Sequence, residues 1–521
     1  MSLSHHHPCA RPPSTTHYPP PTIHYPLSTT LYPLPTAHCL LPSAFCLLLL
    51  AGCTKPAPNS GQTAPGTSLA GVKLRLVVVD DPKLAEAVGR LRGEWGVLTR
   101  PEDATAGSDF QVQLMTAEEL AAAEAMPGDA VICPAWLLGP LAQRQWTAPL
   151  SEELLREAAG DWGDMFELLR IGEAVWGSDV VAVPFGSPVL TCYYRADLLQ
   201  KLGRRPPQTW AEYQQLAELL ADRDNLDTDA KDDAVWCGTL EPLGPGWAGL
   251  VLLARAAPYA KHRNNYSTLF SIRTMEPLVG GPPFVRALEE LVAAAKTGSP
   301  DQLPYDPDAV RAAFWQGKCG MALSWPTAAA DLPEEIANDV QVGFAELPGS
   351  AEAFDVSDQA WEARNQEEDA QVPLLTIAGR IGVVNAASEH PEAAFRLLSW
   401  LSGPQVSEKV CASSPATTLL RRSHGKAPQL WVEKPVPSPA AAEYAELTAA
   451  TFRRQQWVTA LRIPGRSEYL VALDRAVEQA VRGELSAAEA LQEAADRWAE
   501  ITERLGLEEQ KTAYLHSLGL Q

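Results

Sequence analysis

The 521-residue chain is short of positive charge: 42 Lys and Arg stand against 64 Asp and Glu, a formal net charge of −22. A surface that acidic repels phosphate backbones and anionic headgroups, which argues against nucleic acid and against a basic membrane-binding patch. Histidine is scarce as well. Beyond residue 52 only His262, His390, His424 and His516 remain, far apart and with no HExxH spacing, so no metalloenzyme motif is present. Of the 9 cysteines, those after Cys53 (Cys133, Cys192, Cys237, Cys319 and Cys411) are odd in number and form no CxxC. That argues against a disulfide framework or a zinc site and leaves room for one or two bridges in an oxidising compartment. A G-x-S-x-G nucleophile elbow is lacking too, and nothing implies a cofactor or a resident metal.

Residues 1–38 are a Pro, His, Tyr and Thr tract, as in Tyr18-Pro19-Pro20-Pro21, with Arg11 the only basic side chain and no apolar rhythm that could build a core. The apolar run Leu40 to Leu50 follows, well short of the ~20 residues a membrane-spanning helix requires. Leu50-Ala51-Gly52-Cys53 closes it and resembles the lipobox of bacterial lipoproteins, in which the cysteine is lipidated and becomes the new N-terminus. The resemblance implies an exported protein, lipid-anchored at Cys53 and facing the periplasm or the outside. The basic residues that ordinarily precede such a run are missing, so either the leader is unusual or Met1 is not the biological start. Thr54 to Gly71 reads as a flexible tether.

Folding signals begin at Val72. Val72 to Val79 alternates and then becomes continuously apolar, Asp80-Asp81-Pro82 is a turn, and Leu84, Val88 and Leu91 mark a helix. Ala130 to Cys133 is a second buried strand, broken at Pro134 and followed by a helical run from Leu137 to Ala142. Strands alternating with helices predict an α/β body with a largely parallel sheet, whose ligands collect beyond the carboxyl ends of the strands. Later, Thr209 with Glu212 and Ser486 with Glu489 have capping-box spacing, each opening an amphipathic helix. The stretch Asp222 to Ala234 is acidic, but Lys231 falls where a calcium loop needs an oxygen ligand, so it reads as a solvated loop.

The segment Val183-Pro184-Phe185-Gly186, continuing through Tyr193-Tyr194-Arg195-Ala196-Asp197 to Pro206-Pro207 and Thr209-Trp210, resembles the signature region of bacterial extracellular solute-binding proteins of the sugar-binding, maltose-binding-protein-like class. Ala313 to Ser324, Val342 to Gly349 and Gly382 to Gln405 resemble further stretches of that family in the same order. Ser324-Trp325-Pro326 departs from the family's usual Gly-Pro-Trp turn. The resemblance implies a type II periplasmic binding protein fold: two α/β lobes joined by hinge crossings near Gly186 to Leu190, Leu347 to Leu374 and Ser402 to Ser413. The implied organisation is a leader (1–52), a lipid-anchored linker (53–71), lobe 1 (72–187), lobe 2 (188–347), a hinge with an insertion (348–375), a return to lobe 1 (376–403), and a crossing with C-terminal helices mainly on lobe 2 (404–521).

A sugar needs flat apolar rings against its C–H faces and carboxylates or amides at its hydroxyl edges. Trp136, Trp247 and Trp325 fall at loops after strands or at helix starts and are the candidate stacking rings, with Tyr194 beside the hinge. Core packing competes with that role for each of them, while Trp210 and Trp498 sit on amphipathic stripes and read as core. Asp80, Asp81 and Glu241 are the candidate hydrogen-bond acceptors, with turn formation and helix capping as the competing explanation for the aspartates. The expected function is non-enzymatic: a monomeric receptor that captures a small molecule, a sugar or oligosaccharide, and delivers it to the permease subunits of an ABC transporter. The alternatives are a sensor or scaffold lipoprotein of the same fold, or a cleft hydrolase using paired carboxylates.

Overall fold

The computed structural model describes residues 69–521 apart from 103, 158 and 227–235. Cys53, the leader, and most of the tether and of the acidic loop lie outside the described residues. Among the described residues no helix is long and apolar enough to cross a membrane.

Two sheets carry the fold. The first has the strand order Asp109–Met115, Lys73–Val79, Ala130–Pro134, Arg380–Val384, Val183–Pro184. Lys73–Val79 is flanked on both edges, by Asp109–Met115 and Ala130–Pro134, and both pairings are parallel. That explains its pattern: a strand with neighbours on either side and helices on its faces is apolar at nearly every position. The second sheet has the order Val342–Glu346, Thr191–Arg195, Cys319–Ser324, Cys237–Leu240.

The body is α/β, but its sheets are mixed rather than largely parallel. Arg380–Val384 runs antiparallel to both of its neighbours, and Thr191–Arg195 runs antiparallel to both of its own. Only Cys237–Leu240 lies parallel to its partner in the second sheet. The reversed strands are those the chain enters after crossing from the other sheet; a strand reached through a crossing is not bound by the direction a βαβ unit imposes.

Three crossing segments run side by side. Phe185 N–H donates to Arg380 O (2.8 Å), Arg380 N–H donates to Gly186 O (2.9 Å), and Ser187 Oγ donates to Ala378 O (3.1 Å). Gly186 and Gly379 hold φ of 106° and 105°, open to glycine and strained for other residues. A Cβ on Gly186 would stand 2.6 Å from Thr418 O, so the third crossing, which runs on past the expected Ser402 to Ser413, packs directly on the first. Beneath them lies Glu173, fully buried, with Oε1 accepting from Thr376 N–H at 3.2 Å. Burial pushes its carboxyl up to about 7, against the pull of Ser187 and Arg462.

Both expected capping boxes are formed, at Thr209 before Trp210–Ala221 and at Ser486 before Ala487–Leu505. Trp210 and Trp498 are core residues, 1% and 0% exposed. The helix Arg466–Val481 starts at Arg466 because Gly465 (φ 79°) turns the chain just before it. That helix packs on Ala248–Ala260 and on Ala487–Leu505. Ala248–Ala260 is buried at every position, since neighbours cover all its faces. The cysteines after residue 53 are all free and buried.

Candidate functional site

Trp136 projects from the short turn Ala135–Leu137 that follows the strand Ala130–Pro134, and it is half-buried. The turn is tied to the second crossing by Ala135 N–H donating to Gly379 O at 3.2 Å. Trp325 directly follows the strand Cys319–Ser324, is 4% exposed, and donates Nε1–H to Pro415 O of the third crossing at 2.9 Å. Trp247 is the N-cap residue of Ala248–Ala260, and its ring centroid lies 5.5 Å from that of Trp325. The turn after Trp325 is fixed from below by Glu433, whose Oε2 accepts from Thr327 N–H (3.1 Å) while Oε1 accepts from Tyr193 OH (3.0 Å) and Trp315 Nε1–H (3.1 Å). Burial raises the Glu433 carboxyl above its ordinary range, against the opposing charge of Arg311.

The helix Arg466–Val481 links Trp136 to this pair. The Arg466 guanidinium lies 5.0 Å over the Trp136 ring centroid. Two turns along, Asp474 accepts from Gly246 N–H (2.6 Å) and Gly249 N–H (2.7 Å), a carboxylate at the N-terminal end of Ala248–Ala260 where the helix dipole favours it. Burial raises the Asp474 carboxyl, and the two amides and Arg466 oppose that rise. Arg466 is pulled down to about 10 by burial, with Asp474 opposing. The result is a constellation strung along one helix, with Arg466 against Trp136 at its start and, eight residues on, Asp474 against the loop before Trp247, which is paired with Trp325.

The expected acceptors stand elsewhere in the bonding scheme. Asp81 is buried; Oδ1 caps Leu84 N–H (3.0 Å), and Oδ2 accepts from Arg380 Nε (3.1 Å) and Ser414 Oγ (2.5 Å), so it clamps the first helix to the crossings. Asp80 is exposed, holds φ of 51°, and accepts from Ala117 N–H at 3.1 Å. Glu241 is buried and its Oε1 accepts from Arg255 at 2.5 Å. Tyr194 lies across the sheet from Gly343, whose missing Cβ makes room for the ring; it is not among the contacts of the constellation. Sequence reasoning missed Arg466, Asp474 and Glu433. The one local signal was Pro464-Gly465, a breaker that frees a helix to begin at a polar residue.

One potential metal cluster occurs among the described residues: His262, Asp355 and Glu362, joined when the hairpin Glu352–Asp355 and Ala360–Ala363 folds onto the end of Ala248–Ala260. Its donors fit a cation poorly. The carboxylates flank opposite ring nitrogens, Asp355 at 3.4 Å from Nδ1 and Glu362 at 3.2 Å from Nε2, and Arg263 also contacts Glu362.

The model of the family described as bacterial extracellular solute-binding protein matches residues 106–408. No curated protein matches the chain. Among solved structures, the sugar-binding protein MalE of Xanthomonas citri is 20% identical with a TM-score of 0.61, covering 84% of this chain and 100% of its own. A solute-binding protein of Agrobacterium radiobacter K84, solved with ribitol, is 19% identical with a TM-score of 0.59 and covers 84% of this chain and 100% of its own. One from Agrobacterium vitis S4, solved with D-mannitol, is 19% identical with a TM-score of 0.58, covering 83% and 99%. These likenesses establish a shared two-lobed fold.

Proposed function

This chain belongs to the family of bacterial extracellular solute-binding proteins, and on that premise we propose that it captures a carbohydrate or polyol between its lobes and hands it to an ABC transporter permease. The observation that carries the reading is the set of three tryptophans at strand ends of both sheets, joined by Arg466 and Asp474. Trp136 and Trp247 keep part of their surface open and supply flat apolar faces, as a pyranose or polyol chain requires. Trp325 is nearly enclosed and acts as backing for Trp247. Relatives of the fold solved with ribitol and D-mannitol support this ligand class.

In this reading the crossings are the hinge. Rotation is absorbed at Gly186, Gly379 and their neighbours while each sheet moves as a rigid body. Ligand favours the closed form because only that form touches it from both sides. Lys83, on the first helix, reaches Asp331 (2.7 Å) and Ala329 O (3.0 Å) in the loop after Trp325, a contact between lobes that opening would break. Cys53 is the lipid attachment point, and the tether keeps the receptor within reach of its permease.

The test is a thermal-shift and calorimetry panel of sugars, polyols, amino acids and polyamines, repeated on Trp136→Ala and Trp247→Ala. A sugar or polyol should stabilise the protein, and each substitution should weaken its binding by at least ~30-fold, the loss of a buried aromatic anchor worth ~2 kcal/mol or more. Stabilisation by an amino acid or polyamine, with every sugar silent, refutes the assignment.

A further inference from the structure

Resting on the ligand site just proposed, we infer that the natural ligand is an acidic sugar, and that Arg466 is the specificity-determining residue that receives its carboxylate.

The warrant is a guanidinium without an internal acceptor. Arg466 Nε is enclosed and meets no hydrogen-bond partner, and among the described residues no carboxylate comes within ion-pairing distance of the side chain. Four other arginines also leave Nε unbonded: Arg255 reaches Glu241, Arg364 and Arg462 donate through the rest of their forks, and Arg170, like Arg466, meets no acceptor among the described residues but lies over no ring. Arg462 donates to Glu173 O and Ser517 O, and Arg364 to Pro258 O, Lys261 O and Gln456. Arg466 instead lies on Trp136, a candidate stacking ring. Asp474 raises the Arg466 pKa by its charge but makes no hydrogen bond to the guanidinium, its oxygens accepting from the Gly246 and Gly249 amides. A partly buried cation on an aromatic face, lacking a bidentate acceptor, fits a ligand that brings one.

The charge balance selects the acceptor. A carboxylate carries one negative charge and matches the planar fork with two parallel N–H···O bonds. A phosphate brings nearly two, beside Asp474 and in the field of a chain whose net charge is −22, with a single guanidinium to offset them. A uronate therefore fits better than a sugar phosphate: its ring stacks on the tryptophans while its carboxylate lies along Arg466.

The experiment measures affinity by calorimetry for matched pairs, galacturonate against galactose and glucuronate against glucose, as monomers and short oligomers, with glucose 6-phosphate alongside. The same ligands are then tested on Arg466→Met and Arg466→Lys. At least one uronate should bind 10-fold or more tighter than its neutral partner. Arg466→Met should abolish that preference, and Arg466→Lys should restore only part of it, because an ammonium lacks the fork. Equal or tighter binding of the neutral partner overturns the inference while leaving the carbohydrate reading intact. Preference for the phosphate likewise overturns it. If no sugar binds at all, both readings fall together.

Discussion

Of the five arginines that lie over tryptophan rings among the described residues, two stand in opposite settings. Arg255 sits 3.9 Å over the Trp210 ring and reaches Glu241 at 2.5 Å, and both charged side chains are almost wholly buried. Arg466 sits 5.0 Å over Trp136 and donates to no described side chain. In the first, the closed set, cation and carboxylate are paired inside one lobe, although Arg255 Nε, Glu241 Oε2 and Trp210 Nε1 are buried without a partner, and Glu241 raises the guanidinium pKa where burial alone would lower it. The second is left open at the ends of the strands, and burial wins, pulling its pKa down. The same three-part chemistry holds the fold together where it is closed and is available to a ligand where it is not.

The largest test of this contrast is Arg255→Met. Removing the cation leaves Glu241 buried and unpaired, so denaturant unfolding should show a loss of ~3–5 kcal/mol; a loss below ~1 kcal/mol would mean that the pair is not what holds Trp210 and Glu241 in place. A third buried group sharpens the comparison. Glu173 has a cation nearby, but Arg462 donates to its backbone oxygen rather than to its carboxylate, whose Oε2 has no partner. Its pKa is raised to about 7, so the folded state binds the proton more tightly than the unfolded state does. That contribution is complete below the ordinary carboxyl pKa and is lost as pH rises through about 7. Glu173→Gln should therefore flatten the melting profile between pH 4.5 and 8 and stabilise the alkaline end by up to ~3 kcal/mol relative to wild type. An unchanged profile would show that another group titrates there.

The smallest effect concerns the start of the helix beneath Arg255. Thr209→Ala removes the hydroxyl oxygen that accepts from Glu212 N–H at 3.2 Å and should cost ~1 kcal/mol, with no change in ligand affinity, since the capping box serves only the closed set.

The strand-and-helix start at Val72, the capping boxes and the core roles of Trp210 and Trp498 were legible because each rests on local signals: periodicity, a cap residue and its partner three positions on. The placing of Trp136, Trp247 and Trp325 at strand ends was legible for the same reason. What each side chain meets there was not. Asp81 reads locally as a turn or a cap, and it is a cap, but its second oxygen is bound by Arg380 and Ser414, some three hundred residues away in sequence. The pairing of Glu241 with Arg255 looks local, yet burial of both groups depends on helices from the far end of the chain packing on Ala248–Ala260. Arg466 carries no apolar signal at all, and its place over the Trp136 ring follows from a contact more than three hundred residues away in sequence.

By itself the sequence determined the family, the α/β class, the strand and helix starts and the acidic character, because these depend on residue order and composition over short spans. The tertiary structure decided the strand directions in the mixed sheets, the meeting of three crossings under Gly186 and Gly379, and which charges are closed upon one another. Those follow from contacts between segments hundreds of residues apart, where burial and the nearest opposite charge set what a side chain can do.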